Sequence, residues 1–128
     1  MGRVEEAINY KHNGYNCCQA VLMAYKDLIP LSEEQIKAIG SGFATGMGGM
    51  EGDCGAMIGA NMVLGFCNDT GMPTAPFSKR LVGEFRAHAG AINCRELKGV
   101  GTGKVLCPCD DCVKIAVMIL QGFDIGKD

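Results

Sequence analysis

Four of the eight cysteines directly follow an Asn or Asp, in the pairs Asn16-Cys17, Asp53-Cys54, Asn93-Cys94 and Asp111-Cys112, and each pair opens an apolar, helix-like run. Asn and Asp are favoured N-caps because their side-chain oxygens accept the free N–H groups of a first helical turn. A cysteine in the next position falls in that turn, where those N–H groups and the positive end of the helix dipole favour thiolate over thiol. Thiolates are nucleophiles, redox groups and metal ligands. The chemistry expected of Cys17, Cys54, Cys94 and Cys112 is therefore dithiol–disulfide cycling or the binding of a thiophilic metal. Asp53 and Asp111 carry negative charge that opposes ionisation of a neighbouring thiol, so Cys17 and Cys94, capped by neutral Asn, rank as the most reactive.

Cys107-Pro108-Cys109-Asp110-Asp111-Cys112 adds a C-x-C-x-x-C run. Cys107 and Cys109 are further metal-ligand candidates or resolving thiols, although the βαβ pattern that accompanies C-x-x-C in thioredoxin folds is absent. The glycine-rich stretch Gly46 to Gly52 lacks the Lys-Ser/Thr ending of a phosphate-binding loop and no strand precedes it. It reads as a loop that leaves space near Cys54 for a cofactor or partner thiol, with Gly55 and Gly59 as candidate cofactor contacts. His12 and His88 stand at no ligand spacing, the mid-chain methionines read as adaptable core, and no hydrolase constellation is present.

The elements that must position these thiols read as helices throughout. A first helix spans about Val4 to His12 before Gly14, and a second starts at Cys17 behind an Asn16/Gln19 capping box and ends before Pro30. Ser32 and Gln35 form another box ahead of Ile36, Ile39 and Phe43 on a third helix. Cys54 to Cys67 is apolar on nearly every face, as a buried central helix is, and Gly55 and Gly59 would let neighbouring helices come close. Asn68 to Pro76 is a loop, and Phe77, Leu81, Phe85 and Ala89 mark one face of a helix ending near Gly90. A short turn starts at Asn93 with Glu96 at the capping-box position, and a last helix runs from about Asp111. No segment alternates with period two, so the expected fold is all-α, a multi-helix bundle with a buried central helix.

With 128 residues and 48% hydrophobic content, the chain is expected to form one domain over residues 1–128 without disulfide staples. A net charge of −2 with scattered Lys and Arg gives no footprint for nucleic acid or an anionic membrane. No apolar run reaches transmembrane length and Met1 to Glu6 lacks a signal-peptide stretch, so a cytoplasmic protein is expected. In that compartment cysteines serve redox or metal chemistry rather than structural disulfides.

Asn16-Cys17-Cys18-Gln19-Ala20-Val21, Cys54-Gly55-Ala56-Met57-Ile58-Gly59, Cys94-Arg95-Glu96-Leu97 and Cys112-Val113 together resemble the family of small redox-active proteins named for the cysteine pattern C, GCAxxG, C, C. The middle motif departs from that name by exchanging Cys and Gly. The resemblance implies a four-cysteine redox role for Cys17, Cys54, Cys94 and Cys112, and an iron–sulfur or electron-transfer role extends it. The sequence thus points to a small redox protein that binds an iron–sulfur cluster or other metal, or cycles between dithiol and disulfide, with a redox partner protein and a tendency to homodimerise. The competing reading is a non-redox helical interaction module with structural zinc.

Overall fold

Side-chain caps at Asn16, Ser32 and Asn93 set where three of the helices begin. The structure is a computed structural model that describes residues 2–123; the expected domain of residues 1–128 extends past these at both ends, where Met1 and residues 124–128 lie outside the described residues. Seven α-helices are found among the described residues: α1 (Arg3–His12), α2 (Cys17–Ala24), α3 (Glu33–Gly40), α4 (Gly55–Cys67), α5 (Ala75–Ala89), α6 (Cys94–Leu97) and α7 (Cys109–Gln121). No strand occurs among them, only an isolated antiparallel bridge between Asp53 and Asn93. The fold is all-α. No helix among the described residues is long and apolar enough to cross a membrane.

The capping boxes at Asn16/Gln19 and Ser32/Gln35 form as expected, so α2 starts at Cys17 and α3 at Glu33. Three other expectations need correction. Asp53 does not cap α4. Its backbone pairs with Asn93, and Cys54 itself takes the N-cap position. Asp111 does not cap α7 either: Pro108 is the N-cap, the helix begins at Cys109, and Asp110 and Asp111 lie inside the first turn beside the positive end of the dipole. At α6, Asn93 accepts from the Arg95 N–H at 3.0 Å rather than forming a box with Glu96.

The third helix also stops sooner than its apolar spacing implied. It ends at Gly40, and Ser41–Phe43 tighten into a 3-10 turn, leaving Ile39 exposed. A Cβ at Gly40 would lie 2.7 Å from Cγ of Gln19, so glycine is what lets the end of α3 press against the start of α2.

Helix α4 is central, packing on α2, α7 and α5, while α1 lies across α2 and α7. The most enclosed element is nevertheless α2, not expected from its one-face reading: Cys18 and every residue from Ala20 to Ala24 are buried, and Leu28 falls beyond its end. Val21 and Leu22 of α2, Ala60 and Val63 of α4, and Val113 and Val117 of α7 are fully removed from solvent. Close approach of α2 and α4 depends on two small positions. A Cβ at Gly59 would sit 2.8 Å from the Cys18 carbonyl oxygen, and one at Gly55 3.4 Å from the Cys18 backbone nitrogen and 3.0 Å from the Phe43 carbonyl oxygen of the 3-10 turn. The sequence-level suggestion that these glycines admit neighbouring helices describes their contacts here.

Candidate thiol site

The N-terminal ends of α2, α4, α6 and α7 meet at one side of the bundle around a cavity of about 430 Å³. Cys17, Cys54, Cys94 and Cys109 line it, with Lys11 and Lys98 as its cations. All eight cysteines are free.

The cysteines arrive there by different local routes. Cys17 is carried by the Asn16 cap, whose Nδ2 also donates to the Gly40 carbonyl at 2.9 Å and so ties α2 to α3. Cys54 and Cys94 are set side by side by the isolated bridge: the Cys54 N–H donates to the Ile92 carbonyl at 2.8 Å and the Cys94 N–H to the Gly52 carbonyl at 3.0 Å. Asn93 adds a bond from Nδ2 to the Glu51 carbonyl at 2.9 Å. Cys109 is the first residue of α7, delivered by Pro108. His12 Nε2 meets Asp110 Oδ2 at 2.6 Å, fastening the end of α1 to this helix start.

Across the cavity the chain from Thr45 to Met50 is irregular. Thr45, Met47 and Met50 all take positive φ, at 52°, 63° and 63°, which costs about 1–2 kcal/mol for each such L-residue. Strain of this density is held where surrounding packing over-determines the backbone, commonly at functional sites. Here the packing is against a cysteine: a Cβ at Gly46 would come within 2.5 Å of Cβ of Cys94.

Of the four cysteines singled out by capping, Cys17, Cys54 and Cys94 reach the cavity and Cys112 does not. Cys112 closes the first turn of α7 one layer further in, fully buried. Cys54 reaches it by a side-chain hydrogen bond. The Sγ of Cys112 in turn donates to Sγ of Cys107 at 3.2 Å and to the Cys107 carbonyl at 3.6 Å. Lys98 spans both layers, donating from Nζ to the Cys107 carbonyl at 3.0 Å and to Cys112 Sγ at 3.6 Å. Among the described residues, no group of three or more His, Cys, Asp or Glu side chains is arranged to hold a metal ion. Gly55 lines the cavity, whereas Gly59 faces α2. Cys18 is buried between helices, and burial together with Cys54 pushes its thiol up to about 12. Cys67 stands half-buried at the far end of α4.

Electrostatics reverse the reactivity ranking drawn from the caps. The side-chain hydrogen bond between Cys17 and Cys109 acts oppositely on the two partners. It is the largest influence holding Cys17 far above the ordinary thiol range, reinforced by burial and by the Cys109 and Cys54 charges. The same bond pulls Cys109 down to about 5, against burial and with help from Lys98 and Lys11. Cys17 keeps the proton and Cys109 is the thiolate. Burial raises Cys94, with Lys98 opposing, and the bond to Cys112 followed by burial raises Cys54. Burial lowers Lys98, but the surrounding Cys112, Cys109 and Cys54 outweigh it and raise the ammonium above its ordinary range. Cap identity said nothing of a partner thiol across the cavity. Neither lysine was singled out from sequence, although Lys98 follows Cys94 by four residues and so shares its helix face.

Lys98→Met keeps the apolar stem and removes the charge. The alkylation profile of Cys109 against pH is expected to move upward by ~1 unit or more, the usual size of a nearby opposite charge. Mass-resolved alkylation with iodoacetamide measures it; an unmoved profile would show that Lys98 only packs.

Residues 15–123 match the sequence model of a family described as "Putative redox-active protein (C_GCAxxG_C_C)". No curated protein and no solved structure matches the chain.

Proposed function

The chain belongs to the C_GCAxxG_C_C family, and from that membership and the thiol geometry we propose that it is a thiol–disulfide oxidoreductase with Cys109 as nucleophile and Cys17 as resolving thiol. The observation that carries this reading is that Cys17 and Cys109 line the same cavity as neighbours, with Cys17 raised and Cys109 lowered by their interaction. In a bound disulfide RS–SR, the Cys109 thiolate attacks one sulfur: the Cys109–S bond forms, the substrate S–S bond breaks, and RS⁻ leaves. The departing thiolate takes the proton of Cys17. The new Cys17 thiolate then attacks Sγ of Cys109, forming the Cys17–Cys109 disulfide and releasing the second RS⁻. Two electrons pass to the substrate, and a reducing partner protein returns the pair to the dithiol.

Lys11 and Lys98 favour the thiolate that attacks, and Cys94 and Cys54 complete the wall around it. An iron–sulfur cluster or zinc on Cys17, Cys54, Cys94 and Cys112, with Cys107 and Cys109 in reserve, is the alternative carried from the sequence. Cys112 stands behind Cys54 rather than beside the other three, and this favours the dithiol reading over the cluster.

Treating the reduced protein with one equivalent of bis(2-hydroxyethyl) disulfide is expected to give an intramolecular Cys17–Cys109 disulfide, read by peptide mass mapping. Metal analysis and the visible spectrum of protein purified without oxygen provide the counter-test. Stoichiometric metal bound through Cys17 and Cys109, with no disulfide formed, would overturn the proposal.

A further inference from the structure

The dithiol reading uses two of the cysteines at this end of the bundle and leaves a second, deeper pair unexplained. Cys107 and Cys112 are both buried, with their sulfurs 3.2 Å apart. A disulfide bond is ~2.05 Å long, so closing this pair needs an approach of only about 1 Å, within reach of side-chain rotation. Neither thiol lines the cavity. Cys54 does, and its side chain is hydrogen-bonded to Cys112. The donors run in one direction, from Cys54 to Cys112 to Cys107, so the three sulfurs form a continuous row from the cavity wall into the core. Lys98 lies alongside this row and also contacts Cys109, placing one cation where a thiolate in either layer would meet it.

We propose that Cys107 and Cys112 are a second, internal redox pair that takes up the oxidising equivalent of the Cys17–Cys109 disulfide through Cys54. This rests on the dithiol reading of the cavity. Cys54, giving up its proton, attacks Sγ of Cys17; the Cys54–Cys17 bond forms, the Cys17–Cys109 bond breaks, and Cys109 leaves as the thiolate that Lys98 and Lys11 favour. A low-pKa thiol is the faster leaving group. Cys112 then attacks Sγ of Cys54, releasing Cys17, which takes a proton. Finally Cys107 attacks Sγ of Cys112, releasing Cys54. Cys54, Cys112 and Cys107 give up three protons in all; Cys17 and Cys54 take two back and, because Cys109 stays a thiolate, the third passes to solvent, while no outside oxidant or reductant enters. The result is an inner Cys107–Cys112 disulfide and an outer pair free for a second substrate disulfide. One chain therefore transfers four electrons rather than two before it must be re-reduced.

The experiment follows disulfides by rapid acid quench, alkylation and peptide mass mapping after adding excess bis(2-hydroxyethyl) disulfide to the fully reduced protein. The expected time course shows Cys17–Cys109 first, then Cys107–Cys112, with two equivalents of disulfide consumed per chain in forming these two bonds. In Cys107→Ala the Cys17–Cys109 bond still forms first, but the relay stops at a Cys54–Cys112 disulfide, which peptide mapping identifies in place of Cys107–Cys112. In Cys54→Ala, checked for native helicity by circular dichroism, the Cys107–Cys112 bond fails to appear on the wild-type timescale. The relay is overturned if Cys107 and Cys112 stay reduced after Cys17–Cys109 has formed, or if they couple equally fast without Cys54. Absence of Cys17–Cys109 from the start is the separate result that removes the dithiol reading itself. The order of appearance in the wild type decides the matter even if Cys54→Ala does not fold.

Discussion

Cys109→Ser is expected to remove the acid-range thiol reactivity of this protein and to abolish its intramolecular disulfide at the cavity. In the wild type, alkylation of Cys109 by iodoacetamide is expected to be half-maximal near about pH 5, where its thiolate forms. The sign follows from the depressed value: the thiolate is fully present at neutral pH, persists into mild acid, and is lost as pH falls through that range. An ordinary thiol ionises near ~8.5 and would be almost unreactive there. The variant should show no cysteine with such a profile. It should also change Cys17, because the bond to Cys109 is the largest influence holding that thiol up. Without a thiolate acceptor Cys17 is expected to titrate at lower pH than in the wild type, still raised by burial. The substitution sits at the first position of α7, half-buried, and exchanges one small polar side chain for another, so the melting temperature should change little. A variant that keeps both an acid-range alkylation step and an intramolecular disulfide at the cavity would refute the assignment of Cys109 as the nucleophile.

Gly59→Ala is expected to be strongly damaging, although it touches no thiol. The added Cβ would meet the Cys18 carbonyl oxygen at 2.8 Å, Cα of Cys18 at 3.3 Å and Cβ of Val21 at 3.3 Å. Two of these atoms are backbone, which yields only if α2 moves as a unit, and α2 is buried on nearly every side. Overpacking of this kind costs about 1–3 kcal/mol. Because Cys17 stands at the start of α2, the displacement that relieves the clash also shifts Cys17 against Cys109. Denaturant unfolding should record the lost stability, and the alkylation profile of Cys109 should drift upward as its hydrogen bond to Cys17 lengthens. Gly65→Ala on the same helix is the control: its Cβ would meet nothing within 4 Å and its side of α4 is exposed. There alanine should be neutral or stabilising, since it reduces the freedom of the unfolded chain. Equal melting of the two variants would contradict the close α2–α4 contact.

The sequence by itself determined the all-α fold, the starts of α2 and α3, and the burial of the helix after Cys54. These are local matters. A capping box is closed within four residues, and apolar spacing decides which face is buried whatever lies opposite. What α4 packs against could not be read in the same way, yet its glycines already carried the close approach that α2 makes. Two starts were misread because Asp53 and Asp111 are adequate caps that met stronger demands: Asp53 is held by its backbone pairing with Asn93, and Pro108 opens α7 before Asp111 is reached. The second error mattered most. It moved the first position of α7 from Cys112 to Cys109, and with it the thiol that faces the cavity.

Only the tertiary structure decided which thiol ionises. Capping residues rank cysteines by the dipole and charge of their own helix, an influence of tenths to about one kcal/mol. A proton donor on another helix and two lysines acting across the cavity exceed that, so Cys109 ionises while Cys17, with its neutral Asn cap, keeps its proton. The pairing joins residues 92 positions apart in the chain, as numbered in the sequence. Nothing local encodes it, because it exists only once α2 and α7 have packed with their N-terminal ends on the same side.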